Sequence, residues 1–415
     1  MHTALPGIDT LVASLALAAG TVIFIRRAVS PSMRSLPEGF ARYYTAARWM
    51  LWGKDFRWLY LWERFREKAR LFGVPEPAEG FADNQPTTAL IVAPVAWLRP
   101  HAARALWTWA NVALYLVAVH VLLEAVEVRD FLPRCLLWTL ALVWSPTHDA
   151  FRRGEPGVML FALSAAALTC LTQGRLWLGG GYLGLGLLLK PHAWLLLAAV
   201  AIRGQWHTVF GAVAASVVVA VATLPLIRPG TWARFLGREA PATLLGGADP
   251  SARFQGIASA VGNLFTYDPI RSPVPWLRAP ALAAGLQALL VAFTLVFGLG
   301  IAGRSQPQLS DPMAFGAAIL AGLIVSPRAA EHHFVAALLP TLALLGRYLG
   351  GAGSGWIAWI LIVAVALLAA PTAEPNEAKP RRGIGKLAQY PRLLGAIGLF
   401  VMCALAPMYH PAVWG

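Results

Sequence analysis

Stretches free of Asp, Glu, Lys and Arg, many of them long enough to cross about 30 Å of hydrocarbon, recur from one end of this chain to the other. No other feature narrows its fold so far. A bilayer leaves every backbone polar group to be satisfied inside the protein, so such runs read as transmembrane helices. About twelve candidates are visible, at 10–25, 86–98, 105–123, 135–148, 156–174, 176–202, 205–227, 279–303, 312–326, 333–346, 355–371 and 393–409. The shorter ones must borrow flanking residues or re-enter the membrane. Composition agrees: 58% of the 415 residues are hydrophobic and only 13% charged, which excludes an ordinary water-soluble protein. The predicted fold is therefore an all-α integral membrane protein, one polytopic domain over residues 1–415. The first stretch lacks a basic leader and an A-x-A site and is followed by Arg26 and Arg27, so it is expected to be a retained helix.

Two longer segments, 31–85 and 228–278, interrupt the pattern and hold nearly half of the charged residues. Chemistry in water belongs there. In the first, Phe40, Tyr43, Tyr44, Ala47 and Leu51 fall on one helical face, which predicts an interfacial helix with its aromatics at headgroup depth. The second, with Gly and Pro around 244–250 and 267–269, predicts short helices and turns. The net charge of +14 is scattered in loops between apolar runs, a pattern suited to anionic lipid or phosphate rather than nucleic acid. Cys135, Cys170 and Cys403 sit singly inside apolar runs, as packing residues do. With twelve crossings, 31–85, 228–278 and the 326–333 turn share one face of the membrane, and the 149–155 loop lies on the other. Lys and Arg in the short loops nearly cancel, so they do not set the orientation.

The order Phe40-x-x-Tyr43-Tyr44-x-Ala46-Ala47, Gly53-Lys-Asp55, and Asn84-Gln-Pro86 entering an apolar stretch with Pro94 resembles the start of glycosyltransferase family 87. Three later stretches extend the resemblance over most of residues 38–345: Gly154-Glu-Pro-Gly, Gly180-Gly-Tyr-Leu-Gly-Leu-Gly with Lys190-Pro191, and Ser326-Pro-Arg-Ala-Ala-Glu-His-His333. The resemblance implies a GT-C-type bundle of about twelve transmembrane helices with two long extracytoplasmic loops. It also implies an inverting enzyme of the plasma membrane. Its active site would face the extracytoplasmic side, and it would move a sugar, typically mannose, from a polyprenyl-phosphate donor to a glycolipid or glycan acceptor. The family carries a catalytic Asp just before the Phe-x-x-Tyr-Tyr element, where this chain has Gly39, with Glu38 one residue earlier.

A sugar hydroxyl attacks only when a positioned base accepts its proton, so a carboxylate is required on chemical grounds alone. Glu38 and Asp83 are the catalytic candidates; Glu38 also reads as a dipole-favoured residue at a helix start, and Asp83, in Asp-Asn-Gln-Pro, as a turn residue. Asp55, Asp249 and Asp268 are further acids in the two segments. For the donor phosphate, Arg328, His332 and His333 supply donors and positive charge at a helix end. Lys190 is the one charge in an apolar stretch and precedes a helix-breaking proline, which suits either a polar cavity or a snorkelling helix end. Tyr43 and Tyr44 are the candidates for the substrate cavity, and Glu155 is expected in a solvated loop with Arg152 and Arg153.

No Walker-type loop, Asp-x-Asp pair or zinc spacing is present, so neither cofactor nor metal is expected. The expected partners are the polyprenyl-phosphate sugar, its acceptor and membrane lipid, with no nucleic acid. A transporter or flippase of lipid-linked sugars would share a basic, aromatic cavity, and a glycan-assembly partner that has lost its acid would share the whole pattern. The repeated halves of many transporters are not visible in this sequence.

Overall fold

The computed structural model describes residues 7–52, 56–77, 80–82, 84–190, 194–245, 249–304, 311–349, 355–370 and 383–405. Among these, regular structure is helical apart from two isolated bridges, Phe254 with Ala330 and Asp268 with Ser272. Among the described residues, four helices are long and apolar enough to cross a membrane: Ile8–Arg34, Pro100–Ala125, Trp206–Thr223 and Pro280–Ile301. Shorter apolar helices, Phe131–Val143, Gly157–Thr172, Leu176–Leu189 and Pro312–Val325, pack among them, and Gly383–Gln389 meets Pro391–Leu405 at a bend of 77°. Large apolar side chains face outward along these rods, Ile8 at 68% exposure and Val296 at 73%, where lipid takes the place of water. The chain is a helical membrane protein.

Two expected crossings differ. Residues 86–98 contain two short 3₁₀ turns, Pro86–Ile91 and Ala93–Val95, rather than a spanning helix. Prolines near the start of each turn and its short length prevent a span. The segment instead caps Leu176–Leu189: Gln85 Nε2 donates to Leu187 O at 2.7 Å, Thr87 Oγ1 to Leu188 O at 2.7 Å and Thr88 Oγ1 to Leu189 O at 3.3 Å. These are the carbonyls that a helix end leaves without partners.

The 176–202 stretch, in turn, is two helices, Leu176–Leu189 and Trp194–Ile202. Leu176–Leu189 runs parallel to Trp206–Thr223, with a Cβ at Gly180 or Gly184 colliding with the backbone at Thr208 or Ala212, and one at Gly211 with Trp177. Small residues permit this close approach. Parallel neighbours require the chain to return between them, and Trp194–Ile202 is the return. One expected crossing is thus absent and another is divided in two.

The first long segment builds its own core. Phe40, Tyr43, Tyr44, Trp49, Phe56, Phe65 and Phe81 pack with Val92, Trp107, Ile227 and Phe235. The helix Glu38–Trp52 is thus buried on several sides rather than lying along an interface, and only its two ends are open, at Glu38 and at Leu51 and Trp52, 38% and 55% exposed. The larger core fills the bundle and includes all of Phe334, Leu338, Phe315 and Tyr390. Cys135, Cys170 and Cys403 are buried and free, as their apolar settings suggest.

Candidate active site

Four separate pieces of chain meet at one end of the bundle: the helix Glu38–Trp52, Asn84, the end of Leu176–Leu189, and the turn Glu331–Val335. They converge on Glu155, which is only 4% exposed. Local structure explains how an acid comes to lie there. The helix Ser145–Arg153 ends at Gly154, whose φ of 71° is left-handed and costs little without a Cβ. Glu155 then donates its N–H back to Ala150 O at 3.2 Å. Arg104, itself 2% exposed, holds the same helix end by donating to Phe151 O at 2.6 Å and Arg152 O at 3.3 Å.

The Glu155 carboxylate accepts from Arg42 Nη2 at 2.9 Å through Oε1 and from the Tyr43 hydroxyl at 2.8 Å through Oε2. Tyr43 has one proton and a second acceptor, Asn84 Oδ1 at 3.0 Å; the nearer and charged carboxylate is the stronger competitor for it. Asn84 Oδ1 also receives Lys190 Nζ at 2.9 Å. His332 lies between the two buried acids, Nε2 4.0 Å from Glu155 Oε2 and Nδ1 3.8 Å from Asp149 Oδ2, electrostatic contacts rather than hydrogen bonds. Arg153 Nε grips both oxygens of Asp149, at 3.0 and 2.8 Å.

Burial alone would raise the Glu155 carboxyl; the charges of His332, Arg42 and Lys190, with the Tyr43 hydrogen bond, overcome it and hold the group at about 2. Asp149 shows the same balance, burial raising it and His332 and Arg153 bringing it below the usual carboxylate range. Arg42, Arg104, Arg152, Arg153, Lys190 and Arg392 outnumber Glu38, Asp149, Glu155 and Glu331, so this end of the bundle carries an excess of positive charge beside polar, buried donors. Such a setting favours an anionic ligand.

Of the residues singled out from sequence, Tyr43, Lys190 and His332 come together here. Tyr44 is buried but turns the other way, its hydroxyl donating to Leu98 O at 2.7 Å. Arg328 is half-buried in the 326–330 turn. His333 faces its own turn, its Nδ1 accepting Ala330 N–H at 3.0 Å while its ring lies 4.2 Å from that of His332. Glu38 is exposed on the first turn of its helix. Asp83 and Asp55 lie outside the described residues. Asp249 and Asp268 are turn residues, accepting Ser251 N–H at 2.9 Å and Ile270 N–H at 2.9 Å.

Glu155 is the residue that the sequence reading misplaced. It is neither solvated nor on the opposite face. Gly39, by contrast, lies directly over it: a Cβ there would stand 2.5 Å from Arg153 O and 2.8 Å from Glu155 Oε1. The available signal was the pairing of a glycine at 39 with a lone acid in Gly154-Glu-Pro-Gly.

The family model for glycosyltransferase family 87 matches residues 82–327. Among solved structures, the chain is similar to ArnT from Cupriavidus metallidurans bound to undecaprenyl phosphate, at 14% identity over 97% of this chain and 79% of that one, with a TM-score of 0.47. The apo state of the same protein aligns at 14% identity over 97% and 78%, with a TM-score of 0.37. None of the curated proteins matches the sequence.

Proposed function

This chain belongs to glycosyltransferase family 87, and from that premise we propose that it transfers a sugar, mannose in the first instance, from a polyprenyl-phosphate donor to a lipid or glycan hydroxyl, with inversion and without a metal. The fold in this reading is a GT-C-type bundle of about twelve crossings in the plasma membrane, with 31–85 and 228–278 on the extracytoplasmic face. The observation that carries it is the convergence of Lys190 and His332, distant in sequence, on the Arg42–Glu155–Tyr43–Asn84 network.

The chemistry follows from that charge distribution. As the bond between the anomeric carbon and the phosphate oxygen breaks, the leaving polyprenyl phosphate gains negative charge. Cations fixed around it stabilise that charge where it develops. Lys190 and His332, with His333 behind it, take this role, while Arg328 contributes to holding the donor phosphate equally in ground and transition states. The incoming hydroxyl needs a carboxylate at the same end of the bundle, and Glu38, at the open start of its helix, is one candidate the sequence offers. Asp83, outside the described residues, is the second.

The test is incubation of the purified protein with radiolabelled polyprenyl-phosphate mannose and two acceptors, octyl mannoside and total membrane lipid. Labelled product with release of polyprenyl phosphate is expected. A donor that stays intact with both, while the protein is shown to be folded, overturns the transferase reading in favour of a transporter or an assembly partner.

A further inference from the structure

We propose that Glu155 is the general base that takes the proton from the acceptor hydroxyl, an assignment that rests on the transferase reading. A base in this reaction must be an ionised carboxylate, held at fixed geometry beside the groups that hold the donor phosphate, with an acceptor position left for the incoming proton.

Four carboxylates among the described residues lie near this end of the bundle. Asp149 has both oxygens on Arg153. Glu331 is committed to a structural knot, its Oε1 receiving Arg392 Nη2 at 2.5 Å and Ser145 Oγ at 3.0 Å. Glu38 is exposed on a first helical turn, outside the buried network around Lys190 and His332. Glu155 alone meets every condition. It is almost fully buried, it faces Lys190 and His332, and its two hydrogen bonds occupy two of the roughly four acceptor positions of a carboxylate. Tyr43 leaves Oε2 with a second lone pair, and His332 stands off from the same oxygen at 4.0 Å.

Its placement is rigid. Arg104 fixes the preceding helix end, Gly154 turns the chain, and the bare backbone of Gly39 closes over Oε1 and Arg153 O. A side chain at 39 and the Glu155 carboxylate compete for one volume, so the acid reaches this point from the 154–156 turn and not from the start of the Glu38–Trp52 helix.

The surrounding cations stabilise the carboxylate against protonation. A donor phosphate brings its own negative charge among the same cations, which then divide their attraction between two anions and leave Glu155 more basic when the acceptor arrives. In the step itself the acceptor O–H proton passes to a Glu155 oxygen, the acceptor oxygen bonds to the anomeric carbon, and the electron pair of the anomeric carbon–oxygen bond leaves on polyprenyl phosphate. The proton returns to water as the product departs. Sugar, phosphate and proton are all accounted for, with no other reactant.

The experiment compares native protein with Glu155→Gln, Glu155→Asp and Glu155→Ala, using polyprenyl-phosphate mannose as donor and octyl mannoside and membrane lipid as acceptors, with polyprenyl-phosphate binding measured in parallel as proof of folding. Glu155→Gln keeps the size and an acceptor for Tyr43, so its kcat should fall by about 10²–10⁴-fold with donor KM changed only a few-fold. Glu155→Asp should retain part of the rate, and sodium formate should restore turnover to Glu155→Ala by supplying the missing carboxylate. Native transfer together with a Glu155→Gln kcat within threefold of native overturns the assignment alone. Variants that bind polyprenyl phosphate normally, with Glu155→Ala unmoved by formate, overturn it as well. If native protein transfers to neither acceptor, the transferase reading falls and this assignment falls with it.

Discussion

Replacing Gly39 by Ala adds one methyl group, and the surrounding geometry decides the sign of its effect. In open helix the change would gain up to about 1 kcal/mol from backbone entropy, and less at a first turn. Here the new Cβ would stand 2.5 Å from Arg153 O and 2.8 Å from Glu155 Oε1, where ordinary contact begins at 3.4 Å. Neither neighbour yields easily. Arg153 O belongs to a helix end clamped through Phe151 O and Arg152 O by Arg104, and the carboxylate is held by Arg42 and Tyr43. Overpacking of this kind costs about 1–3 kcal/mol, so a net loss of roughly 1–2 kcal/mol is expected. Cys135, Cys170 and Cys403 are buried and free, so a thiol-reactive dye reports unfolding directly during heating in detergent. Gly39→Ala should melt below the native protein and turn over at least about 10-fold more slowly, because a shifted carboxylate spoils alignment. Gly285→Ala, whose Cβ meets nothing within 4 Å, is the control and should be no less stable than native. A Gly39→Ala protein that melts at or above the native temperature with unchanged turnover would refute the packing argument.

Single cysteines at positions 80, 250 and 330 should react with an impermeant thiol reagent from the same face of the membrane, and labelling of one from the other face would separate the pieces of the site. Arg328→Ala should chiefly raise the donor KM and spare kcat, as expected of a contact made equally in ground and transition states; a fall in kcat at constant KM would move Arg328 into the chemistry. Arg392, with no exposed surface, donates to Leu367 O at 2.9 Å, Ala370 O at 2.5 Å, Leu368 O, Ser145 Oγ at 3.0 Å and Glu331. Arg392→Leu should therefore destabilise by about 3–5 kcal/mol, and adding Glu331→Gln should recover part of the loss; additive losses would contradict the coupling. Because Glu155 is held at about 2 against 4.5 for the ordinary group, its contribution to stability is complete above 4.5 and fades as pH falls toward 2. Glu155→Gln should flatten that part of a melting-temperature profile, and an unchanged acid limb would show that the carboxylate is not held as described.

The apolar runs made the helical membrane fold legible, and the residue types marked Tyr43, Lys190 and His332 before any geometry was known. Hydropathy misread two places for physical reasons. Residues 86–98 are apolar because they are buried in the core that the Glu38–Trp52 helix builds, while Gln85, Thr87 and Thr88 satisfy the last carbonyls of Leu176–Leu189, and neither pairing leaves a periodic trace. The 176–202 run hides a reversal, because the parallel packing of Gly180 and Gly184 on Trp206–Thr223 is a contact between segments that no local pattern encodes. Together the two misreadings separated Glu155 from the 31–85 segment, whose Arg42 and Tyr43 it contacts directly. A buried acid in a four-residue turn looks like a solvated one until Arg42, Tyr43 and Lys190 are seen to converge on it.

The central claim is that the cations gathered around Glu155 hold the phosphate of a polyprenyl carrier. The most direct measurement is a titration of the detergent-solubilised native protein and Lys190→Met with polyprenyl phosphate, at matched ionic strength. Loss of a charge-assisted contact of about 1.5–3 kcal/mol should weaken binding by roughly 10-fold or more in Lys190→Met. Equal affinity of the two proteins for polyprenyl phosphate would contradict the account.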